Sequence, residues 1–128
     1  MSTTDIGRLG EAVAARFLKK NGYKILAKNQ HQSHNEIDII AANKELILFV
    51  EVKTRSVSDD LYSPYGSPAS AVDVKKQART IQAARSYLMK YPADGLQPRM
   101  DVIEIYLDKM TGKVLKIHHI PNAFGVRS

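Results

Sequence analysis

The chain is predicted to fold as one α/β domain with a central mixed β-sheet flanked by helices. Apolar residues recur at helical spacing in two segments and alternate with polar residues in several others. Their order is helix, three strands, loop, helix, two strands, which predicts a sheet covered by helices. The helix before the fourth strand permits a parallel crossover, so both strand directions are expected. The 128 residues suit one domain, with its core at about residues 5–120 and a tail at 121–128.

The first helix is predicted over residues 7–21, where apolar residues lie three and four positions apart. Asp5 is expected to cap its start, and Gly22 follows its end. Residues 23–29 alternate between apolar and lysine side chains, which predicts a short strand. Residues 30–35 are polar and are predicted to form a loop.

Two further strands are predicted at residues 36–41 and 46–55. The short connection between them makes them antiparallel neighbours, with Asn43 and Lys44 as the expected turn. The second strand begins with the longest apolar run of the chain, Leu46 to Val50, which is too short to span a bilayer.

Charged residues fall on one face of each of these strands, because side chains alternate between faces. Glu36 and Asp38 share a face on the first strand, and Glu51 and Lys53 share one on the second. The expected turn places Glu36 opposite Glu51 and Asp38 opposite Phe49. Asp38 and Glu51 are then diagonal neighbours within reach of one ion, and a one-residue slip would separate them.

The second half of the chain is predicted to contain a loop, a helix and two strands. Residues 56–70 are rich in Ser, Asp, Pro and Tyr, and loops of this length are usually functional or mobile. Asp73 is expected to cap a helix that ends at about Met89. The apolar face of this helix is predicted to carry Val74, Ile81, Ala84 and Leu88. After a linker at 91–98, strands are predicted at 100–107 and 113–120.

Composition restricts the classes of function. The net charge is +6 and the pI about 9.6, which favours a polyanionic partner such as nucleic acid. The chain has no cysteine, which excludes disulfides and thiolate zinc sites. Its first residues show no secretory signal, so a cytoplasmic protein is expected.

The charged residues of the hairpin favour a divalent-metal site. Asp38 and Glu51 offer carboxylate oxygens and Val52 a backbone carbonyl, which are ligands that Mg²⁺ or Mn²⁺ accepts. Lys53 would orient a metal-bound water or stabilise the phosphate in the transition state. A Glu-x-Lys pair is most often an ordinary surface salt bridge. Here it continues the apolar face of a strand that carries Phe49, which favours the functional interpretation.

An ordered set of short motifs resembles the YraN family of uncharacterised bacterial proteins, which is grouped with the PD-(D/E)xK nucleases near the archaeal Holliday-junction resolvases. The match runs from Gly7 to about Ile105. Its motifs are Gly7-Arg-Leu-Gly-Glu11-Ala12, Gly22-Tyr23, Asn29, Glu36-Ile-Asp38, Phe49-Val-Glu-Val-Lys-Thr-Arg55, Lys76-Gln77 and Arg99-Met-Asp-Val102.

The resemblance implies a restriction-endonuclease-like fold with a nuclease site. Asp38, Glu51 and Lys53 match the superfamily's two acids and lysine. Glu11 matches a glutamate in the first helix of the resolvase-like branch, although a solvated acid near the helix start is an equal alternative. Gln77 lies on the apolar face of the second helix, beside the site or bonded to a strand end. Related resolvases are usually dimers, which makes a homodimer an expectation.

The resulting hypothesis is a divalent-metal-dependent endonuclease that hydrolyses DNA phosphodiester bonds, with branched or damaged DNA as candidate substrates. Glu36, Glu11 and Gln77 are supporting catalytic candidates. Candidate contacts to the nucleic-acid backbone are Arg55, Lys75, Lys76 and Arg79. RNA stays open as a substrate, and the alternative function is a catalytically inactive nucleic-acid-binding or interaction module with the same fold.

Overall fold

The computed structural model describes residues 2–32, 34–57 and 73–125, which form a five-stranded mixed sheet between two helices. In chain order these are α1 (Thr3–Lys20), β1 (Lys24–Gln32), β2 (Asn35–Ala42), β3 (Leu46–Val57), α2 (Val74–Lys90), β4 (Gln97–Asp108) and β5 (Val114–Phe124). The strands stand in chain order across the sheet, with β3 and β4 parallel and the other neighbours antiparallel. The predicted fold class is therefore confirmed.

Each helix covers one face of the sheet with its own apolar core. On the α1 face, Ala14 and Leu18 pack against the buried strand residues Ile39, Leu48, Val50, Ile103 and Ile105. On the α2 face, Ala83, Ala84 and Tyr87 pack against Ile37, Ile40, Ile47, Phe49 and Met100. Within the described residues, neither helix is long and apolar enough to cross a bilayer.

The helix caps differ in how well the sequence predicted them. α1 begins earlier than expected, because the Ser2 hydroxyl accepts a hydrogen bond from the Asp5 amide at 3.1 Å and caps the helix in place of Asp5. The prediction for α2 is confirmed, since the Asp73 carboxylate accepts from the Lys76 amide at 2.7 Å.

The apolar face predicted for α2 was wrong at its first residue. Val74 is 78% exposed, whereas the buried residues of the helix begin at Thr80. The first turn of α2 therefore lies beyond the buried part of the helix.

The polar segment 30–35 is mostly strand, which corrects its prediction as a loop. β1 continues to Gln32 and pairs with β2 down to Asn35. The half of this hairpin beyond Ile37 lies past the apolar core, so its polar side chains are solvated while its backbone stays paired. The polar residues of this segment therefore indicate exposed side chains and not the absence of a strand.

The β2–β3 hairpin has a different register from the predicted one. Ile40 and not Asp38 lies opposite Phe49, and Ile39 lies opposite Val50. The turn is centred one residue later than expected because the Asn43 side chain accepts hydrogen bonds from the amides of Glu45 and Leu46 at 2.8 and 2.7 Å. The pairing thus shifts by two residues, and a shift by an even number does not by itself move side chains to the other face.

Three other predicted boundaries also differ from those in the structure. β3 extends to Val57, so residues 56 and 57 belong to a strand, and the rest of the predicted 56–70 loop lies outside the described residues. β4 begins at Gln97 within the predicted linker. β5 continues to Phe124 through the predicted tail, whose last residues, 126–128, are also outside the described ranges.

A buried carboxylate ties β5 to β4. Asp101 is fully buried and bonds the Arg99 guanidinium at 2.8 and 2.9 Å, His119 Nε2 at 2.7 Å and the Asn122 amide at 2.9 Å. Burial alone would raise the pKa of Asp101, but the hydrogen bonds from His119 and Arg99 outweigh it and hold the pKa below its usual value. The ion pair between Arg99 and Asp101 therefore belongs to a wider network that His119 and Asn122 complete.

One glycine allows α1 to lie directly on β3. Gly10 is buried, and a Cβ built on it would lie 1.8 Å from Thr54 Oγ1 and 2.8 Å from Thr54 Cβ. Only a residue without a side chain permits this approach. The contact fixes the position of the next residue, Glu11, relative to the middle of the sheet.

Substituting Gly10 by Ala is expected to destabilise the protein by about 1–3 kcal/mol, because the added methyl group forces α1 away from β3. Urea unfolding monitored by circular dichroism measures the free energy of unfolding. Gly7→Ala is the matched control in the same helix, since a Cβ at Gly7 meets nothing within 4 Å. Equal stabilities for the two variants would show that the contact with Thr54 does not constrain the helix.

Candidate metal centre

The candidate site lies where β2 and β3 stop pairing. Their backbone pairing ends at Ile39 and Val50, and beyond it the Asp38 carboxylate takes the place of a backbone carbonyl. Asp38 Oδ2 accepts a hydrogen bond from the Val52 amide at 2.8 Å. Ile37 packs in the α2-side core and Ile39 in the α1-side core, so the alternation of β2 is interrupted at Asp38. We refer to this opening between the two strands as the fork.

Three carboxylates converge at the fork from two different elements of the fold. Glu11 of α1 and Glu36 and Asp38 of β2 each offer one oxygen, and these oxygens lie within 4.8 Å of one another. Carboxylates this close repel each other unless protons, donors or a cation compensate. Hard oxygen donors in this number suit Mg²⁺ or Mn²⁺, so the residues present fit the metal that the sequence predicted.

A fourth carboxylate, that of Glu51, is buried beside the cluster and is bound by two lysines. Lys53 Nζ lies 3.5 Å and Lys76 Nζ 3.3 Å from Glu51 Oε1. Lys53 is the strand lysine expected at the site, whereas Lys76 comes from the first turns of α2. The exposed start of α2 thus delivers an ammonium group to the centre that sequence analysis had assigned only to nucleic-acid contact.

Asp38 is the carboxylate of this cluster whose pKa is raised. Burial, followed by the charge of Glu51, raises the pKa of Asp38 to about 7, with Glu11 adding to the rise. The hydrogen bond from Val52 and the charge of Lys76 oppose the shift without cancelling it. A bound cation would supply the missing positive charge and favour the ionised form.

Two cavities give solvent access to the fork from opposite faces of the sheet, and Asp38 lines both. The α2-side cavity, of about 340 Å³, is lined by His34, Asn35, Glu36, Asp38, Lys76, Arg79 and Thr80. The α1-side cavity, of about 300 Å³, is lined by Ile6, Gly7, Glu11, Asp38, Glu51, Val52 and Thr54. The carboxylates are therefore reachable by an ion and by an extended polar ligand.

Most of the predicted catalytic residues are brought together here. Asp38, Glu51, Lys53, Glu36 and Glu11 meet around the fork. Val52 donates its amide to Asp38, and a ligand role for its carbonyl stays a prediction. Gln77 is half-buried on α2 next to Lys76, and its catalytic role also stays a prediction.

The four basic candidates occupy different environments. Lys75 and Arg79 are exposed on α2, and Arg79 lines the α2-side cavity. Arg55 is instead held by a buried carboxylate, with Arg55 Nε 2.6 Å from Glu104 Oε2. Tyr106 donates a further hydrogen bond to Glu104. The sequence signal for this group was Glu104 itself, an acid that lies between Ile103 and Ile105 and needs a partner when buried.

Sequence reasoning missed the function of Asn29, which it noted only as part of a motif. The Asn29 amide lies between Glu11 and Glu36 and bonds both carboxylates. A signal was present, since Asn tolerates the left-handed backbone that Asn29 adopts, with φ of 51°. Which strand position needed that conformation was not apparent from the sequence.

Comparison with known proteins identifies close relatives of this chain. A family model described as uncharacterised protein family UPF0102, the YraN family, matches residues 10–105. A UPF0102 protein of Caldanaerobacter subterraneus subsp. tengcongensis is 43% identical over 119 residues, covering 93% of each chain. One from Chlorobium phaeobacteroides is 43% identical over 123 residues, covering 94% of each. The predicted resemblance is thereby confirmed.

Among solved structures, the chain is similar to the Ca²⁺ complex of SfsA from Pyrococcus furiosus. The TM-score is 0.41 at 11% identity, over 85% of this chain. The chain spans 62% of the length of that archaeal protein.

Replacing Asp38 by Asn is expected to stabilise the metal-free protein at about pH 8.5 and to have little effect below about pH 4. The folded-state pKa of Asp38, about 7, exceeds the unfolded value of about 3.9, so between them the folded chain holds the extra proton. The wild type therefore loses stability as pH rises through this window, by about 1.4 kcal/mol per unit of pKa difference at most. Urea unfolding in EDTA across pH measures this slope.

The control for this measurement is Asp94→Asn, which alters an exposed carboxylate in the connection between α2 and β4. It should follow the wild-type curve. A stability difference between wild type and Asp38→Asn that stayed constant from about pH 4 to pH 8 would contradict the prediction. It would show that the pKa of Asp38 is not raised in the folded protein.

Proposed function

The chain belongs to the uncharacterised protein family UPF0102, and from the chemistry of its fork we propose that it is a divalent-metal-dependent endonuclease hydrolysing DNA phosphodiester bonds. The observation that carries the proposal is the convergence of Glu11, Glu36, Asp38 and Glu51 with two lysines at an open cavity. Phosphodiester hydrolysis needs charges in fixed positions more than covalent help from the protein.

Asp38 and Glu51 are the proposed principal metal ligands, with Glu11 and Glu36 completing the acidic environment. Asp38 is fixed by the Val52 amide at one oxygen, which leaves its other oxygen for an ion. When bound, a divalent ion supplies an acidified water and a positive charge against the phosphate. Because burial and the charge of Glu51 raise the pKa of Asp38 to about 7, a bound cation would favour its ionised form.

Lys53 and Lys76 are proposed to act on the scissile phosphate. Both ammonium groups share one oxygen of Glu51 in the described structure. A metal ion that takes over the charge of Glu51 would release both lysines toward substrate oxygens. Two ammonium groups from different elements, β3 and α2, could then stabilise the charge that develops during hydrolysis.

The nucleic-acid backbone is proposed to approach along the α2-side cavity. Arg79 of α2 lines this cavity, together with His34 of the β1–β2 turn and Asn35 at the start of β2. Lys75 is exposed in the adjacent turn of α2, and the chain carries a net charge of +6. Branched or damaged DNA as the substrate rests on the resemblance to resolvases, and the same cavity chemistry would accept RNA.

Purified protein with Mg²⁺ or Mn²⁺ is expected to cleave at least one member of a panel of four-way-junction, flap, single-stranded and linear substrates. Asp38→Asn and Lys53→Ala should each reduce the rate by about 100-fold or more, because they remove a metal ligand and a phosphate donor. Lys44→Ala and Asp94→Asn alter exposed residues of distant connections and should leave the rate unchanged. Cleavage that persists in Asp38→Asn and Lys53→Ala would come from a contaminant and contradict the proposal.

Calorimetry separates the enzyme from an inactive binding module. The wild type should bind Mn²⁺, and Glu51→Ala should bind it much more weakly, whereas Glu45→Gln, an exposed acid in the β2–β3 turn, should bind it normally. Metal and DNA binding without cleavage of any substrate would instead favour the binding module.

Arg79→Gln is expected to weaken DNA binding and to lower the slope of log K against log salt concentration by about 0.9, because one phosphate contact is lost. Fluorescence anisotropy at a series of salt concentrations measures both quantities. Arg85→Gln is the matched control, since Arg85 lies on the same helix but lines a separate cavity with Arg99 and Met100. Equal losses in both variants would show that binding is not centred on the fork.

A further inference from the structure

We infer that Asn29 is a positioning residue of the metal centre, which holds Glu11 and Glu36 apart at a fixed spacing without neutralising them. This inference rests on the proposed function, because it assigns a role in loading the same metal site. It concerns a residue of β1, a strand that supplies none of the proposed metal ligands.

The backbone of β1 is distorted at the position that faces the fork. Lys28 pairs with Ile39 and Gln30 with Ile37, so Asn29 stands opposite Asp38. Its φ of 51° is in the left-handed region, which is unusual within a strand and unfavourable for most side chains. Because of this conformation, the Asn29 side chain does not follow the regular alternation of side chains along β1.

The Asn29 amide spans two carboxylates that come from different parts of the chain. Its nitrogen donates to Glu11 Oε1 at 2.9 Å and to Glu36 Oε1 at 2.8 Å, since the opposite orientation would place three oxygens in contact. One NH₂ group has two hydrogens, so each carboxylate receives one of them. The bridge therefore ties α1 to the outer end of β2.

The charge of the bridging group determines what the cluster can attract. Glu51 is held by two full positive charges, from Lys53 and Lys76. Glu11 and Glu36 are instead held by a neutral donor, which orients them while leaving their negative charge in place. His31 Nε2 is 3.7 Å from Glu36 Oε2 but is a side chain on the exposed rim. The side of the fork that carries Asn29 thus retains the potential that draws in a cation.

Removing the amide should weaken metal binding while the fold is retained. Groups that orient metal-binding carboxylates typically change metal affinity by about 10–100-fold when they are lost. Asn29→Gly deletes the amide and also relieves the left-handed backbone, because glycine adopts positive φ freely. Any loss of affinity in this variant is then not a consequence of backbone strain at this position.

The test is titration of Mn²⁺ into the full chain by calorimetry, with Asn29→Gly compared with Asn122→Gly. Asn122 is the matched control, since its φ is 52° on β5 and its exposed side chain is not part of the acidic cluster. Its backbone amide, which donates to Asp101, is retained in Asn122→Gly. Asn29→Gly is expected to bind Mn²⁺ about 10–100-fold more weakly, and Asn122→Gly to bind it like the wild type. In cleavage assays, Asn29→Gly should need more Mn²⁺ for half-maximal rate and recover most of the rate at saturation.

The outcomes distinguish this inference from the proposed function. If the wild type binds Mn²⁺ and Asn29→Gly binds it equally tightly, the positioning role is overturned and the metal centre stands. If Asn122→Gly loses as much affinity as Asn29→Gly, the effect belongs to the backbone, and the role of the amide is overturned as well. If the wild type binds no Mn²⁺ at all, both proposals fail together.

Discussion

The hydrogen bond between the Val52 amide and the Asp38 carboxylate is the interaction on which the arrangement of the site depends. A backbone amide in the middle of a sheet needs an acceptor, and at this position a side chain supplies it. Because the Asp38 side chain accepts this bond in place of a backbone carbonyl, the pairing of β2 with β3 does not continue beyond Ile39 and Val50. The two strands separate at this point. It also commits a half-buried carboxylate to a place where other carboxylates surround it, which accounts for its raised pKa.

Three other features bring their side chains to this point by local backbone geometry. The missing Cβ of Gly10 lets α1 lie on Thr54 and places Glu11 beside the fork. The left-handed conformation of Asn29 turns its amide toward Glu11 and Glu36. The exposed first turn of α2 extends past the core and carries Lys76 to Glu51. None of these groups contributes much apolar burial, so each position reflects the geometry of the site more than the packing of the core.

The sequence predicted the fold class and which charged residues of β2 and β3 lie near one another, because both depend on short-range patterns. Alternation placed Glu51 and Lys53 on one face, and this is independent of the wrong register because both residues belong to the same strand. Lys76 and Asn29 could not be placed, since their roles depend on how α2 and β1 lie against β2 and β3. The prediction that Val74 belongs to the apolar face of α2 was wrong. Helical spacing indicates which face is apolar but not where the sheet beneath that face ends.

The parallel pairing of β3 with β4 has a consequence for the order of assembly. It joins two strands separated along the chain by all of α2 and its connections, whereas β1, β2 and β3 follow one another through short turns. Contacts between distant segments form late, because closing a long loop costs entropy before any contact repays it. The topology therefore favours a folding order in which the hairpins bearing the acidic residues form first. In this order, β4, with its buried Asp101 and Glu104, pairs with β3 after those hairpins have formed.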